Sequence, residues 1–356
     1  MNLSFYRGKK ILVTGHTGFK GSWMCMLLKM QGADVIGYSL LPEKTPNLFE
    51  IANIEKDMTS IIGDIRNLSV LDETFDRYKP EIVIHMAAQP LVRESYINPV
   101  YTYETNVVGT VNILEEIRRH DSVKSFVNVT TDKVYKNNEW EWGYRENEIL
   151  DGYDPYSNSK SCSELVTSSY KRAFFFNRQV AVSTCRAGNV IGGGDFSKDR
   201  IIPDCIRAME QGNKIMVRNP YSVRPYQHVL EPICAYLKLA EAQYKDKSRY
   251  EGSYNIGPGD EDCVTTGELV ELFCRSWGKG ASWENISEKN APHEASFLKL
   301  DCSHIKKVLK WKPKWHVNEA VRKSVEWGQA YLDGNDVKDI MAKQILSYLN
   351  ETSGEQ

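Results

Sequence analysis

"KKILVTGHTGFKG", residues 9–21, is the stretch from which the rest of the chain can be read. A short run of strand-forming residues ends in three glycines spaced Gly15-x-x-Gly18-x-x-Gly21, and a helical apolar pattern follows through Lys29. Strand, glycine turn and helix in that order let a backbone approach a pyrophosphate closely. Glycine leaves the room, and the helix N-terminus supplies free N–H groups and a favourable dipole. A plain tight turn would use the same glycines, so the flanking context carries the reading.

Working outward, further strand-like runs recur: "ADVIGYSL" (33–40), "TSIIGD" (59–64), "EIVIHMAA" (81–88), "VKSFVNVTT" (123–131) and "QVAVSTCRAG" (179–188). Between them lie helical patterns at "DETFDRYKP", at "VVGTVNILEEIRRH" (107–120) and from about Pro155 to Phe175. Strands alternating with helices predict an α/β fold, a Rossmann-type doubly wound parallel sheet with right-handed crossovers. After Gly188 the rhythm breaks into the glycine-rich "NVIGGGDFSKDR" and the loop "NPYSVRPYQHVLEP", and "GSYNIGPG" (252–259) is expected to return to the sheet. The predicted organisation is a dinucleotide-binding domain over 1–188, joined by 252–259. A smaller, interleaved mixed α/β substrate domain covers 189–250 and 260–320. C-terminal helices fill 321–356, where "ETSGEQ" is expected to fray.

The 356 residues carry a formal net charge of −2, so no basic field points to nucleic acid. No apolar run approaches the ~20 residues that a bilayer crossing needs, and the N-terminus lacks a signal-peptide pattern. A cytoplasmic protein with no membrane association is expected. The eight cysteines form no C-x-x-C pair and the seven histidines no H-E-x-x-H, so reduced thiols and no metal site are expected.

Two further motifs carry chemistry. "PYSNSK" places Tyr156 and Lys160 four apart, on one helical face. An ammonium near the phenol favours phenolate, and such a tyrosine can take a proton from a sugar hydroxyl while hydride leaves the same carbon. Upstream, "VTTDK" ends the fifth strand with Thr131, Asp132 and Lys133, with Thr130 as the rival to Thr131 for holding the substrate oxygen. A surface Asp–Lys pair in a loop would be worth little; its place between the glycine turn and Tyr-x-x-x-Lys is what singles it out.

The glycine spacing and Tyr-x-x-x-Lys resemble the extended short-chain dehydrogenase/reductase family. Within it, "TGHTGFKGSW", Thr131-Asp132-Lys133, "NNEWEWGYRE", "DPYSNSK", "RAGNVIGGGDF" and "RPYQHVLEP" resemble the CDP-glucose 4,6-dehydratase group, from about Gly8 to Leu332. The resemblance implies oxidation at C4, loss of water across C5 and C6, and hydride return to C6, which would convert CDP-glucose to CDP-4-keto-6-deoxyglucose for surface-polysaccharide deoxysugars. Asp132 would be the acid for water loss. Lys133 replaces the glutamate base of the dTDP-glucose dehydratases, and acts either as a neutral base or as a cation on the C4 enolate. NAD is the implied cofactor, lined by Gly15, Thr17, Gly18, Phe19, Lys20, Gly21, Asp64, Ile65, Ala87, Ala88, Gln89, Tyr156 and Lys160. The acid that usually holds the adenosine ribose is missing: Asp34 lies at the wrong end of its strand and "GYSLLPEK" offers Ser39 instead.

Arg93 and Ser95 in "AAQPLVRES", with Asn189, Arg200, Arg224, His293 and Glu294, are the implied substrate contacts. Trp140, Trp142 and Tyr144 would lid the pocket or pack an interface, with packing favoured. The family implies a homodimer or a dimer of dimers through the helices near 107–120 and 156–175. Two other readings differ in class: a dehydratase or epimerase on another nucleotide sugar, or a silent dinucleotide-binding protein, which would be expected to have lost Thr131, Tyr156 or Lys160.

Overall fold

The computed structural model describes residues 1–42, 45–56, 58–278, 280–287 and 298–351. His293, Glu294 and the tail after Glu351 lie outside the described residues.

The chain order is β1 (Lys10–Thr14), α1 (Phe19–Met30), β2 (Asp34–Ser39), α2 (Leu48–Ile51), β3 (Thr59–Ile62), α3 (Leu68–Tyr78), β4 (Ile82–His85), α4 (Val92–Ile97), α5 (Pro99–Tyr103), α6 (Gly109–Arg119), β5 (Ser125–Thr130), α7 (Pro155–Phe174), β6 (Ala181–Ala187) and β7 (Val190–Ile191). It continues with α8 (Ile201–Glu210), β8 (Ile215–Val217), β9 (Val223–Pro225), β10 (Gln227–His228), α9 (Leu230–Lys245), α10 (Lys247–Tyr250), β11 (Ser253–Ile256), β12 (Cys263–Thr265), α11 (Thr266–Trp277), β13 (Trp283–Asn285), α12 (Ser303–Leu309), α13 (Val317–Leu332) and α14 (Val337–Asn350).

Seven strands form one parallel sheet in the order β11-β6-β5-β4-β1-β2-β3. The order reverses between β1 and β4, so a crevice opens at the C-terminal strand ends there, where open α/β sheets bind ligands. Every residue of β5 and β6 is buried, as expected for strands covered on both faces. One apolar core lies on the α1/α9 side and a second on the α3/α6 side. The segment predicted to return near 252–259 does so as β11 beside β6.

Helix starts are set locally. Asp154 caps α7 by accepting from the Ser157 backbone at 2.9 Å and its hydroxyl at 2.6 Å, with Pro155 in the first turn. The predicted 107–120 helix is in fact the end of a longer helical run from Pro99, with a five-residue π turn, Glu104–Val108, before α6. That turn turns the buried Asn106 amide inward. It accepts from Gln89 N at 2.8 Å and donates to Gln89 O at 3.1 Å and Ser159 Oγ at 2.9 Å.

The remaining short strands pair outside the main sheet: β7 with β10, β9 with β12, and β8 with β13. They surround a third apolar core that includes Ile202, Cys205, Leu269, Phe273 and Val321. Tyr144 is buried and stacks between Tyr135 and Trp140, whereas Trp142 is exposed. All eight cysteines are free thiols. Among the described residues no helix is long and apolar enough to cross a membrane.

Candidate active site

The glycine turn is packed as tightly as a phosphate cradle requires. Gly15 has φ +77°, and a Cβ there would lie 2.8 Å from Ala87 N; one on Gly21 would lie 2.0 Å from Gly15 O. Gly18 is the exposed N-cap of α1 and has no side chain to cover the first turn. The Thr17 hydroxyl meets Ser39 Oγ and Leu40 O, both at 2.9 Å, which closes the end of β2 where an acid was sought. Asp34 is exposed at the opposite end of that strand. These residues fit a dinucleotide pyrophosphate.

Around this turn lie the other residues expected to line the cofactor. Asp64 is engaged by its neighbour Arg66, at 2.7 Å, and Ile65 is buried against Gly109. Ala87 abuts Gly15, as its place after β4 demands. The Gln89 side chain is not free for a cofactor. Its amide donates to Leu91 O and Thr102 Oγ1 and accepts from Leu91 N, all within 3.1 Å.

At the end of β5 the chain tightens into a short 3-10 turn, Asp132–Val134, capped by Thr131. Thr131 Oγ1 donates to Asp132 Oδ1 at 2.9 Å, and Asn189 Nδ2 donates to Asp132 Oδ2 at 3.1 Å. Asp132 is buried, and its carboxylate lies where a Cβ on Gly188 would be, 2.0 Å away. Thr130, the rival hydroxyl, points elsewhere, to Glu164 Oε1 at 2.5 Å.

Tyr156 and Lys160 face this turn from α7. Burial pushes the Tyr156 phenol up to about 12; the Thr131 hydroxyl and the Arg200 guanidinium oppose the rise, and Asp132 adds to it. Burial thus dominates the Tyr156 phenol here, with Thr131 and Arg200 favouring phenolate. The Lys160 ammonium donates to Val129 O at 3.1 Å. Burial and the nearby Lys20 pull it down to about 7, against Glu164. Lys20, in the first turn of α1, is itself pulled down to about 8 by burial and Arg200, against Asp132 and Asp195. Lys20 thus belongs electrostatically to the cluster around Tyr156 and Lys160. Lys133 is half-buried, and its backbone N–H reaches Thr131 Oγ1 at 3.4 Å.

A glycine turn at a sheet's switch point, facing a Thr-Asp turn and a Tyr-x-x-x-Lys helix, matches known proteins over nearly its full length. The family model described as GDP-mannose 4,6 dehydratase matches residues 12–324. The chain belongs to the GDP-mannose 4,6-dehydratase family. It is 47% identical to a CDP-glucose 4,6-dehydratase of Salmonella typhimurium, covering 98% of this chain and 99% of that one. Two solved structures share its fold. A UDP-glucose 4-epimerase of Thermotoga maritima has a TM-score of 0.79 and 23% identity over 90% of this chain and 99% of its own. A dTDP-glucose 4,6-dehydratase of Bacillus anthracis, in complex with NAD, has a TM-score of 0.76 and 23% identity over 94% of this chain and 100% of its own.

The substrate side of this family member is less uniform than expected. Arg93 stands at the surface, 3.5 Å from Asp199. Ser95 is fully buried and donates to Val92 O at 2.6 Å within its own helix. Asn189 donates one amide hydrogen to Asp132 from the loop after β6. Arg200 is held by Asp195 at 2.8 Å and acts on Tyr156. Arg224 is buried on β9. Asp195, Glu164 and Arg186 were missed. They are lone charges in the sequence, and only the fold pairs them.

Proposed function

We propose that this chain is an NAD-dependent CDP-glucose 4,6-dehydratase, a hydro-lyase that forms CDP-4-keto-6-deoxyglucose. The observation that carries the reading is the full-length similarity to the Salmonella typhimurium enzyme. It is joined in this chain by a buried acid, Asp132, held beside Tyr156 by Thr131 and Asn189.

The first turn of α1 and the glycines before it would hold the pyrophosphate of NAD, and Lys160 would face its nicotinamide ribose. When bound, NAD supplies a hydride acceptor for C4 and returns the hydride to C6. Thr131 and Tyr156 hold the C4 hydroxyl, and Tyr156 takes its proton. The C4 ketone acidifies the C5 proton. Lys133 stands at the position of the family's base, and C5 deprotonation is assigned to it. Asp132 gives a proton to the departing C6 hydroxyl, which leaves as water. Arg200, oriented by Asp195, favours the phenolate form of Tyr156.

The third core, with β7–β10, β9–β12 and β8–β13 around it, supports a distinct substrate domain within the proposed 189–250 and 260–320, while α9, inside the first of those ranges, packs in the sheet's own core beside α1. The protein would act in the cytoplasm as a homodimer. Incubation with CDP-glucose and NAD tests the reading. Product lighter by one water, without net NADH, supports it. An isomer of equal mass overturns it in favour of an epimerase, and cofactor binding without turnover overturns it in favour of a silent binder.

A further inference from the structure

Beneath the catalytic turn lies a buried polar network that the chemistry above does not use. Glu164 follows Lys160 by one helical turn on the same face of α7. Its carboxylate accepts from Thr130 Oγ1 at 2.5 Å and Thr184 Oγ1 at 2.6 Å, and from Arg186 Nε and NH2 at 3.0 and 2.9 Å. The two charged side chains are only 2% and 3% exposed, so water does not share in the pairing. The remaining guanidinium nitrogen donates to Tyr135 Oη at 2.7 Å and to Glu146 O at 2.9 Å. The Tyr135 hydroxyl donates in turn to Asn255 Oδ1 on β11, at 2.6 Å. One ion pair therefore ties together β5, β6, α7 and the loop that leaves the Thr131–Val134 turn.

Such a pair is a poor device for stability alone, because desolvation offsets the attraction and an apolar pair of similar volume holds a core as well. An apolar pair, however, cannot make directed bonds to Tyr135 and Glu146, nor set a negative charge beside Lys160. We propose that Glu164 and Arg186 are a positioning pair, which holds the Thr131–Val134 turn against the Tyr156–Lys160 face of α7 and supports the Lys160 ammonium. The chemistry served rests on the dehydratase reading; the geometry does not.

The charged and titratable groups facing Lys160 are Lys20 from α1, Glu164 on its own helix and His85 from β4. Burial and Lys160 keep His85 neutral, down to about 3. Lys20 and burial lower Lys160, and Glu164 raises it. Without the Glu164 carboxylate the ammonium is lost at a lower pH.

The test uses Glu164→Met/Arg186→Met, each single variant, Glu164→Gln, Arg186→Lys and Tyr135→Phe, with melting temperature, kcat on CDP-glucose and NAD affinity against pH. The double variant is expected to recover most of the stability that each single variant loses. It should nevertheless turn over about 100-fold more slowly, as expected for a misplaced catalytic group, and lose NAD affinity at a lower pH than the wild type. A double variant with wild-type kcat and an unshifted NAD profile overturns the proposal. Tyr135→Phe keeps the pair and is expected to lower kcat about tenfold, the size of one lost hydrogen bond, with the NAD profile unmoved. Wild-type kcat there overturns the positioning of the turn. Should the double variant not fold, Arg186→Lys decides the same point, since it keeps the charge and loses the fork. If the wild type does not turn over CDP-glucose, the functional reading has failed, and the NAD profile of Glu164→Gln still decides the pair: an unshifted midpoint overturns it.

Discussion

Asn189 donates its amide to Asp132 Oδ2 at 3.1 Å across the mouth of β5 and β6, while Thr131 binds the other oxygen. Asn189 sits at φ +48°, a conformation that glycine adopts without strain. Asn189→Gly therefore keeps the backbone and removes the amide. C4 oxidation is expected to proceed at the wild-type rate, while overall turnover falls about tenfold, the size of one lost hydrogen bond that orients the acid. Single-turnover kinetics should show reduced nicotinamide building up transiently. A slower oxidation step would show that Asn189 serves the first half-reaction instead.

Asp132→Asn and Tyr156→Phe should separate the two halves of the chemistry. Tyr156→Phe removes the group that takes the C4 proton, and general base catalysis is commonly worth 10²–10⁴-fold. No reduced nicotinamide should form. Asp132→Asn leaves oxidation intact and stalls elimination, so reduced nicotinamide should form and persist. Rapid-mixing absorbance distinguishes them, and wild-type behaviour in either variant removes its assigned role.

Lys133 should show its role through isotope exchange at C5. In deuterated water Asp132→Asn is expected to exchange the C5 proton of the bound ketone, since the base is present and only the acid is lost. Lys133→Met should oxidise C4 but not exchange. Lys133→Arg keeps the charge, yet arginine does not deprotonate in proteins, so it too should fail to exchange. Exchange in Lys133→Arg would instead assign the lysine an electrostatic role.

How much of this site was legible in the sequence follows from how far apart its parts lie. The β1–turn–α1 unit and Tyr156–Lys160 are local patterns, and their spacing alone sets their geometry. So is Asp154–Ser157, which starts α7 one residue before the tyrosine. Glu164 and Arg186 are separated by a helix end and a strand, and Asp195 serves Arg200 only because the loop after β6 folds back. The side-chain directions of Gln89 and Ser95 were hidden for a related reason. Their residue type suited a polar crevice, but the π turn at Asn106 and the register of α4 face them inward, which no period in the sequence encodes. The missing acid after β2 was visible; the Thr17–Ser39 contact that fills its place was not.

The buried lysine has a cost that pH can reveal. Burial and Lys20 hold Lys160 near 7 in the fold, against an ordinary value of 10.5. Below about 7 the lysine is charged in both states, and the penalty for burying the ammonium is fully present. Between about 7 and 10.5 the unfolded chain binds more protons, so stability rises with pH, at up to about 1.4 kcal/mol per unit. For the ligand-free protein, denaturant unfolding should show this rise. Lys160→Met should be more stable than the wild type at neutral pH, with a flatter dependence above it, while NAD binding is lost. A variant less stable than the wild type at pH 7 would mean that the Val129 contact outweighs the burial cost.

An apolar surface next to the catalytic helix makes the dimer testable. Val100, Val108 and Leu165 are 69%, 48% and 53% exposed, and a hollow beside Val100 and Val108 is lined by Pro99, Tyr103, Glu104, Val107 and Cys162. Scattered exposed aliphatics are ordinary, but a contiguous patch on two adjacent helices is the kind that a partner covers. If a second copy covers it, Val108→Glu and Leu165→Glu place charges in a desolvated contact and should yield monomers by analytical ultracentrifugation. Each substitution is on the outer face, so the melting temperature of the monomer should fall only by the lost dimer linkage and should depend less on protein concentration. Because α7 carries Tyr156 and Lys160 on the opposite face, the monomers should keep NAD binding even where turnover drops. Dimers that survive both charges would place the interface elsewhere and leave the patch without a partner.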